Sequence, residues 1–184
     1  MLARYAQCEV HSHHDDAAAA VLAARRWTDH RPLLRVSNGH CSDELARYRA
    51  TNIFDQPLAA LAQALVVAEF GASGPPTFAD RAPLAQPPSP DPGARHDVYA
   101  IWRAAYSRLG ECVARAAPIA ARAWLVTDQE ADAPPAGRAL LDASVACTQQ
   151  LGLTASTSVL ERDKLAASYY RLAHAGAVPV GTEH

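Results

Sequence analysis

The chain predicts an all-α fold, an irregular bundle of five to seven helices with a Pro-rich crossover, and three observations carry that prediction. Alanine supplies much of a 49% hydrophobic composition while aromatics supply only 7%, so helices are expected to pack closely through small side chains. Apolar residues recur three and four apart in several blocks, the period of one helix face. Seven prolines (Pro75, Pro76, Pro83, Pro87, Pro88, Pro90 and Pro92) gather between Gly74 and Gly93, where neither a continuing helix nor a central strand is possible. At 184 residues the chain is read as one helical domain, with 74–93 as a linker or crossover extended on its surface.

Each element follows from local chemistry. His14 to Trp27 reads as a helix, with Asp15 and Asp16 at its positive end, an alanine run, and Arg25 and Arg26 at its negative end. Leu33 to Val36 reads as a short extended piece closed by the turn Ser37-Asn38-Gly39, and Ser42 as the cap of a short helix. A helix begins near Asp55 with Pro57 in its first turn; Leu58, Leu61, Leu65 and Ala68 form its buried stripe, and Gly71 stops it. Asp97 caps the clearest amphipathic helix, whose apolar face is Val98, Ile101, Trp102, Ala105, Leu109, Cys112 and Val113. Arg103, Ser107, Glu111 and Arg115 make its other face, with Glu111 and Arg115 in the favourable i,i+4 order. Pro118 bends or ends this helix, and Asp132 to Gly137 is a second break. Two further helices are expected, about Arg138 to Leu151, stopped by Gly152, and about Ser158 to His174, stopped by Gly176.

Bulk properties exclude some classes. A formal net charge of -2 leaves no electrostatic footprint for a phosphate backbone, so no nucleic-acid partner is expected. No apolar run approaches the roughly 20 residues that span a bilayer, and the N-terminus carries a charged residue and histidines where a signal peptide needs an apolar segment. The expected setting is cytoplasmic. Cys8, Cys41, Cys112 and Cys147 are scattered without a CxxC pair, and are expected to be buried small hydrophobes rather than disulfides or zinc ligands.

His11-Ser12-His13-His14-Asp15-Asp16 is the one dense group of metal-ligand side chains. It resembles the HxHxDH loop of metallo-β-lactamase-type hydrolases, but Asp16 stands where the second-metal histidine belongs and only ten residues precede His11. His11, His13, His14 and Asp15 are nonetheless candidate ligands for a divalent ion. Otherwise they form a solvated arm leading into a capped helix. Trp102, Tyr106 and Trp124 are read first as helix packing.

Phe54-Asp55-Gln56-Pro57 followed by Ala60, Ala62, Ala64 and Val66-Val67-Ala68 resembles the N-terminal helical region of nitrile hydratase β subunits and of their small activator proteins. Gly74-Pro75-Pro76-Thr77-Phe78-Ala79-Asp80 stands where that family has a glycine and an FTW-like turn. Tyr99, Trp102, Ala105, Arg108 and Leu109 fall at the spacing of its YxxWxxA…RL helix, and a thiocyanate hydrolase subunit has the same pattern. The similarity covers about Phe54 to Val113. Leu58, Gln63 and Phe78 depart from it, each replacing an aromatic of the family pattern, tryptophan in the first and last cases.

The resemblance implies a non-catalytic accessory or subunit-like protein that binds a metalloenzyme α-type subunit during metal insertion or in the assembled enzyme. The cobalt or iron would sit in the partner, and this chain would hold at most a transient divalent metal. Trp102, Tyr106, Phe54 and Tyr99 are the candidate partner-binding anchors. The helices flanking the proline tract are expected to clasp each other and leave a surface for another polypeptide. Two alternatives stay open: a general all-α interaction module, including a homo-oligomer, and a metal-dependent hydrolase using the His11 cluster.

Overall fold

A computed structural model describes residues 2–23, 41, 56–75, 77–85, 98–127, 137–153 and 160–176, with side chains described for all of these except residues 2, 56 and 98–103. Seven helices lie among the described residues: α1 Leu2–Ser12, α2 His14–Ala23, α3 Gln56–Phe70, α4 Val98–Ala116, α5 Pro118–Val126, α6 Arg138–Gln150 and α7 Arg162–His174. No β-strand occurs among them. The all-α class holds. The expected extended piece at Leu33 to Val36, the turn after it and the Ser42 helix lie outside the described residues.

The helices are arranged around α7. It packs most extensively on α3 and α4, and also meets α5 and α2. The α1–α2 pair covers α3 from the other side, while α6 lies on α4 and touches α5. The expected clasp between the helices flanking the proline tract is therefore corrected. Those helices are α3 and α4, and the main partner of each is α7, the helix whose sequence is richest in charge.

A helix with Arg162, Asp163, Lys164, Arg171 and His174 occupies the centre because its polar groups lie toward its ends, where they reach carbonyls and carboxylates. Lys164 to Tyr170 and Leu172 are all buried. The Arg162 guanidinium donates to the carbonyls of Trp124 and Thr127 (2.8 Å to the latter) and lies over the Trp124 ring, closing the C-terminus of α5. Close approach on the α4 side comes from small residues. A Cβ added to Gly110 would sit 2.7 Å from Ser168 Oγ and 3.2 Å from the Lys164 carbonyl oxygen. Leu109, Val113 and Ala114 complete this seam within the core.

The described part of the proline tract runs along the surface and is anchored to the helices by Phe78 and by Arg115. Phe78 is fully buried, its ring edge-on to Tyr169 at 5.1 Å. Arg115 fixes the segment by donating to the carbonyls of Phe78 (2.7 Å), Arg81 (3.1 Å) and Ala82 (2.9 Å). Glu111 accepts from Arg115 at 2.9 Å and from the Leu84 amide at 3.0 Å. Read from spacing alone, Glu111 and Arg115 look like a pair on a solvated helix face. They instead turn inward, because a backbone segment without regular structure leaves carbonyls and amides that must be paired.

Leu2–Ser12 form the helix α1 rather than a solvated arm, with Tyr5, Ala6 and Val10 in the core. The cysteines are not free hydrophobes: Cys8 is bonded to Cys41 and Cys112 to Cys147, each pair with Cα atoms 5.8 Å apart. Sequence scatter concealed them because each bridge joins segments 33 or 35 residues apart. Loops of that length are worth about 4 kcal/mol each in the chain-entropy picture. Helix stops were more legible. Gly152, at φ +62, lets the amides of Gly152 and Leu153 return to Gln149 and Thr148 after α6.

Candidate functional site

Three helix ends meet at Glu69. The carboxylate lies in the last turn of α3, where Gly71 ends the helix and Arg122 donates to the Phe70 and Gly71 carbonyls at 3.1 and 3.3 Å. Glu69 Oε1 accepts from the Tyr170 hydroxyl at 2.6 Å and faces His14 Nε2 at 3.1 Å; Oε2 faces His174 Nε2 at 2.9 Å. His14 opens α2 and has Asp15 Oδ1 3.2 Å from its Nδ1. Tyr170 and His174 share a face of α7 by their i,i+4 spacing, with rings 4.5 Å apart, and Phe70 walls the cluster beside both.

Electrostatics define what this cluster can do. Burial, the hydrogen bond to Glu69 and the charges of Glu69 and Asp15 all push the Tyr170 phenol up, so it stays a neutral donor. The Glu69 carboxylate is 20% exposed, and the imidazoles of His14 and His174 are more so. The arrangement sets one carboxylate against a phenol and two imidazoles and so ties the start of α2 and the ends of α3 and α7 together.

The candidate metal ligands are distributed rather than gathered. His11 is exposed in the last turn of α1; His13 lies at the α1–α2 junction, where its charge acts on Glu9; His14 and Asp15 belong to the Glu69 cluster. Successive helical side chains radiate at about 100° intervals, so neighbours in sequence do not converge. Among the described residues no group of three or more His, Cys, Asp and Glu side chains is arranged to hold a metal ion.

Glu9 is the unusual carboxylate. It is fully buried on α1, and neither oxygen finds a hydrogen-bond partner among the described residues. Burial pushes its carboxyl up, and the nearby His13 only partly opposes that shift.

Of the candidate partner-binding residues, Phe54 lies outside the described residues, and Trp102 and Tyr99 belong to α4 with their side chains outside them. Tyr106 is half-buried. Burial and the Glu161 and Asp163 carboxylates push its phenol up, and it donates to Glu161.

The surface feature that periodicity did not single out is on α6. Leu140, Ala143 and Cys147 form its inner stripe at i, i+3 and i+7. Leu141 and Val145, one turn apart on the opposite side, are 48% and 58% exposed. Glu69, Tyr170 and His174 were also missed. Tyr170 and His174 carried an i,i+4 signal, but nothing in the sequence ties them to a carboxylate more than 100 residues earlier. The chain matches no known family model, no curated protein and no solved structure.

Proposed function

We propose that this chain works by binding another protein, as a non-catalytic accessory or subunit-like protein, and that α6 is the surface it presents. One observation supports this most. Leu141 and Val145 stand about half exposed on a helix whose inner stripe is bonded to α4 through Cys112–Cys147. Aliphatic side chains held outward on a braced helix offer apolar area with little left to order on binding. The outward face of α6 also carries Asp142 and Gln149, polar neighbours of the kind that rim a reversible contact.

The resemblance supplies the first partner to test, a nitrile-hydratase-type α subunit that holds cobalt or iron itself. Trp102, Tyr99 and Phe54 stay in the proposal as further anchors on the same chain. Tyr106 does not, since its hydroxyl is already engaged with Glu161. The general interaction module and the homo-oligomer differ from this only in the identity of the partner. Hydrolysis by the His11 cluster loses its support with the dispersal of His11, His13 and His14.

No helix among the described residues is long and apolar enough to cross a membrane. The cytoplasmic expectation rested on the lack of a membrane-spanning run and of a signal-peptide pattern, and reduced cysteines were expected to follow from it. Two disulfides that together use all four cysteines favour an oxidising compartment instead. The test is affinity purification of the oxidised chain from its native host, with metal analysis of what copurifies. The proposal expects one protein in fixed stoichiometry, metal-bearing if the resemblance holds. Elution of this chain alone as a monomer would count against it.

A further inference from the structure

The Cys112–Cys147 bridge is the covalent attachment of α6, beside the buried Leu140 and Ala143, and we infer that it acts as a redox-operated latch: reduction by a dithiol frees α6 as a mobile arm while the helices around α7 stay packed. This rests on α6 being the surface through which the chain meets its partner, and it adds how that surface is controlled.

The burial pattern carries the inference. Only three of the 13 residues of α6 are buried, Leu140, Ala143 and Cys147, and one of those three is the bridge itself. Without the bridge, the inner stripe consists of a leucine and an alanine, far less apolar area than α3, α4 or α7 buries. The side-chain ion pair on α6, Arg138 with Asp142 at 3.7 Å, lies within the helix and adds nothing to its hold on α4. α6 packs on α4 and α5 and makes no substantial contact with α7, so its departure leaves the α3–α7–α4 packing in place. The other bridge differs. Cys41 is buried, and the half-buried Cys8 belongs to a helix that independently buries Tyr5, Ala6, Glu9 and Val10.

Each bridge pairs a half-buried sulfur with a buried one, Cys112 with Cys147 (2% exposed) and Cys8 with Cys41 (1% exposed), so what separates them is the helix each one holds. At the α6 bridge a dithiol thiolate attacks the more exposed Cys112 Sγ, forming a mixed disulfide and expelling Cys147 as the thiolate, which takes up a proton. The second thiol of the reductant then closes its own disulfide and releases Cys112 as a thiol. Two electrons and two protons pass from the dithiol to the cystine. The step uncovers Leu140, Ala143 and the strip of α4 around Cys112.

Hydrogen exchange read by mass spectrometry on the full oxidised chain, with and without dithiothreitol, tests this independently of any partner. A Cys8→Ser/Cys41→Ser background removes the other bridge from the readout. On reduction, amides of α6 should exchange about 100-fold faster while those of α7 change less than about threefold. A Cys112→Ser/Cys147→Ser variant should show fast α6 exchange without reductant. Unchanged α6 protection would overturn the latch, and so would α6 and α7 accelerating together, since the bridge would then brace the whole fold. Failure of partner capture with the exchange result intact would instead reject α6 as the binding surface.

Discussion

α6 and α7 are both 13-residue helices, yet their sequences point to each other's positions. α7 carries five charged or imidazole side chains and lies at the centre; α6 carries two aliphatic residues on its outer face and lies at the edge. Burial here follows what each side chain can reach rather than its average polarity. The polar groups of α7 end on helix carbonyls and on Glu69, so the helix enters the core with most of them satisfied. Leu141 and Val145 are left outside by a helix whose inner stripe uses a disulfide in place of large apolar residues.

The contrast can be broken by substitution, beginning with the largest effect. Tyr169 on α7 is fully buried between Phe78 and Phe70. Tyr169→Ala should cost about 4 kcal/mol in urea unfolding. Tyr169→Phe should cost little, because it removes a hydroxyl without a hydrogen-bond partner among the described residues. Comparable losses from the two variants would place Tyr169 outside the core.

The α4–α7 seam comes next. Gly110→Ala adds a methyl 2.7 Å from Ser168 Oγ and 3.2 Å from a backbone oxygen. It should destabilise by about 1 to 2 kcal/mol even though alanine is the better helix former. Ser168→Ala, which removes the nearer atom, should recover part of that loss in a double-mutant cycle. A stabilising Gly110→Ala would mean the two helices are farther apart than the structure has them.

A smaller effect of opposite sign is expected at Glu9. Its folded carboxyl holds a proton more tightly than the unfolded one, since burial raises its pKa. Its contribution is therefore fully present below the ordinary carboxylate range and is lost as pH rises toward the raised folded value. Glu9→Gln should stabilise the protein at pH 7 by on the order of 1 kcal/mol, with the advantage gone by about pH 4. A variant less stable than the parent at pH 7 would show that the carboxylate has a partner.

Much of this architecture was legible in the sequence and the rest was hidden for definable reasons. Apolar periodicity located α3 and α4, Gly71 and Gly152 marked the stops of α3 and α6, and Pro118 separated α4 from α5. The helix α1 escaped because its buried stripe includes Glu9, and a charged residue masks periodicity. Glu111 and Arg115 looked solvated because i,i+4 spacing reports that two side chains are neighbours, not which way the pair faces. The Glu69 cluster is made by three distant helix ends, and no local pattern encodes such a meeting. Bridges spanning 33 and 35 residues are equally invisible to spacing.

The central claim is that the outer face of α6 is there for a partner. Leu141→Asp/Val145→Asp tests it most directly, in oxidised protein, by comparing the unfolding midpoint and the capture of the copurifying protein with those of the parent chain. The account predicts stability within about 0.5 kcal/mol of the parent and loss of capture. A double variant that folds as well as the parent and still captures the partner would contradict it.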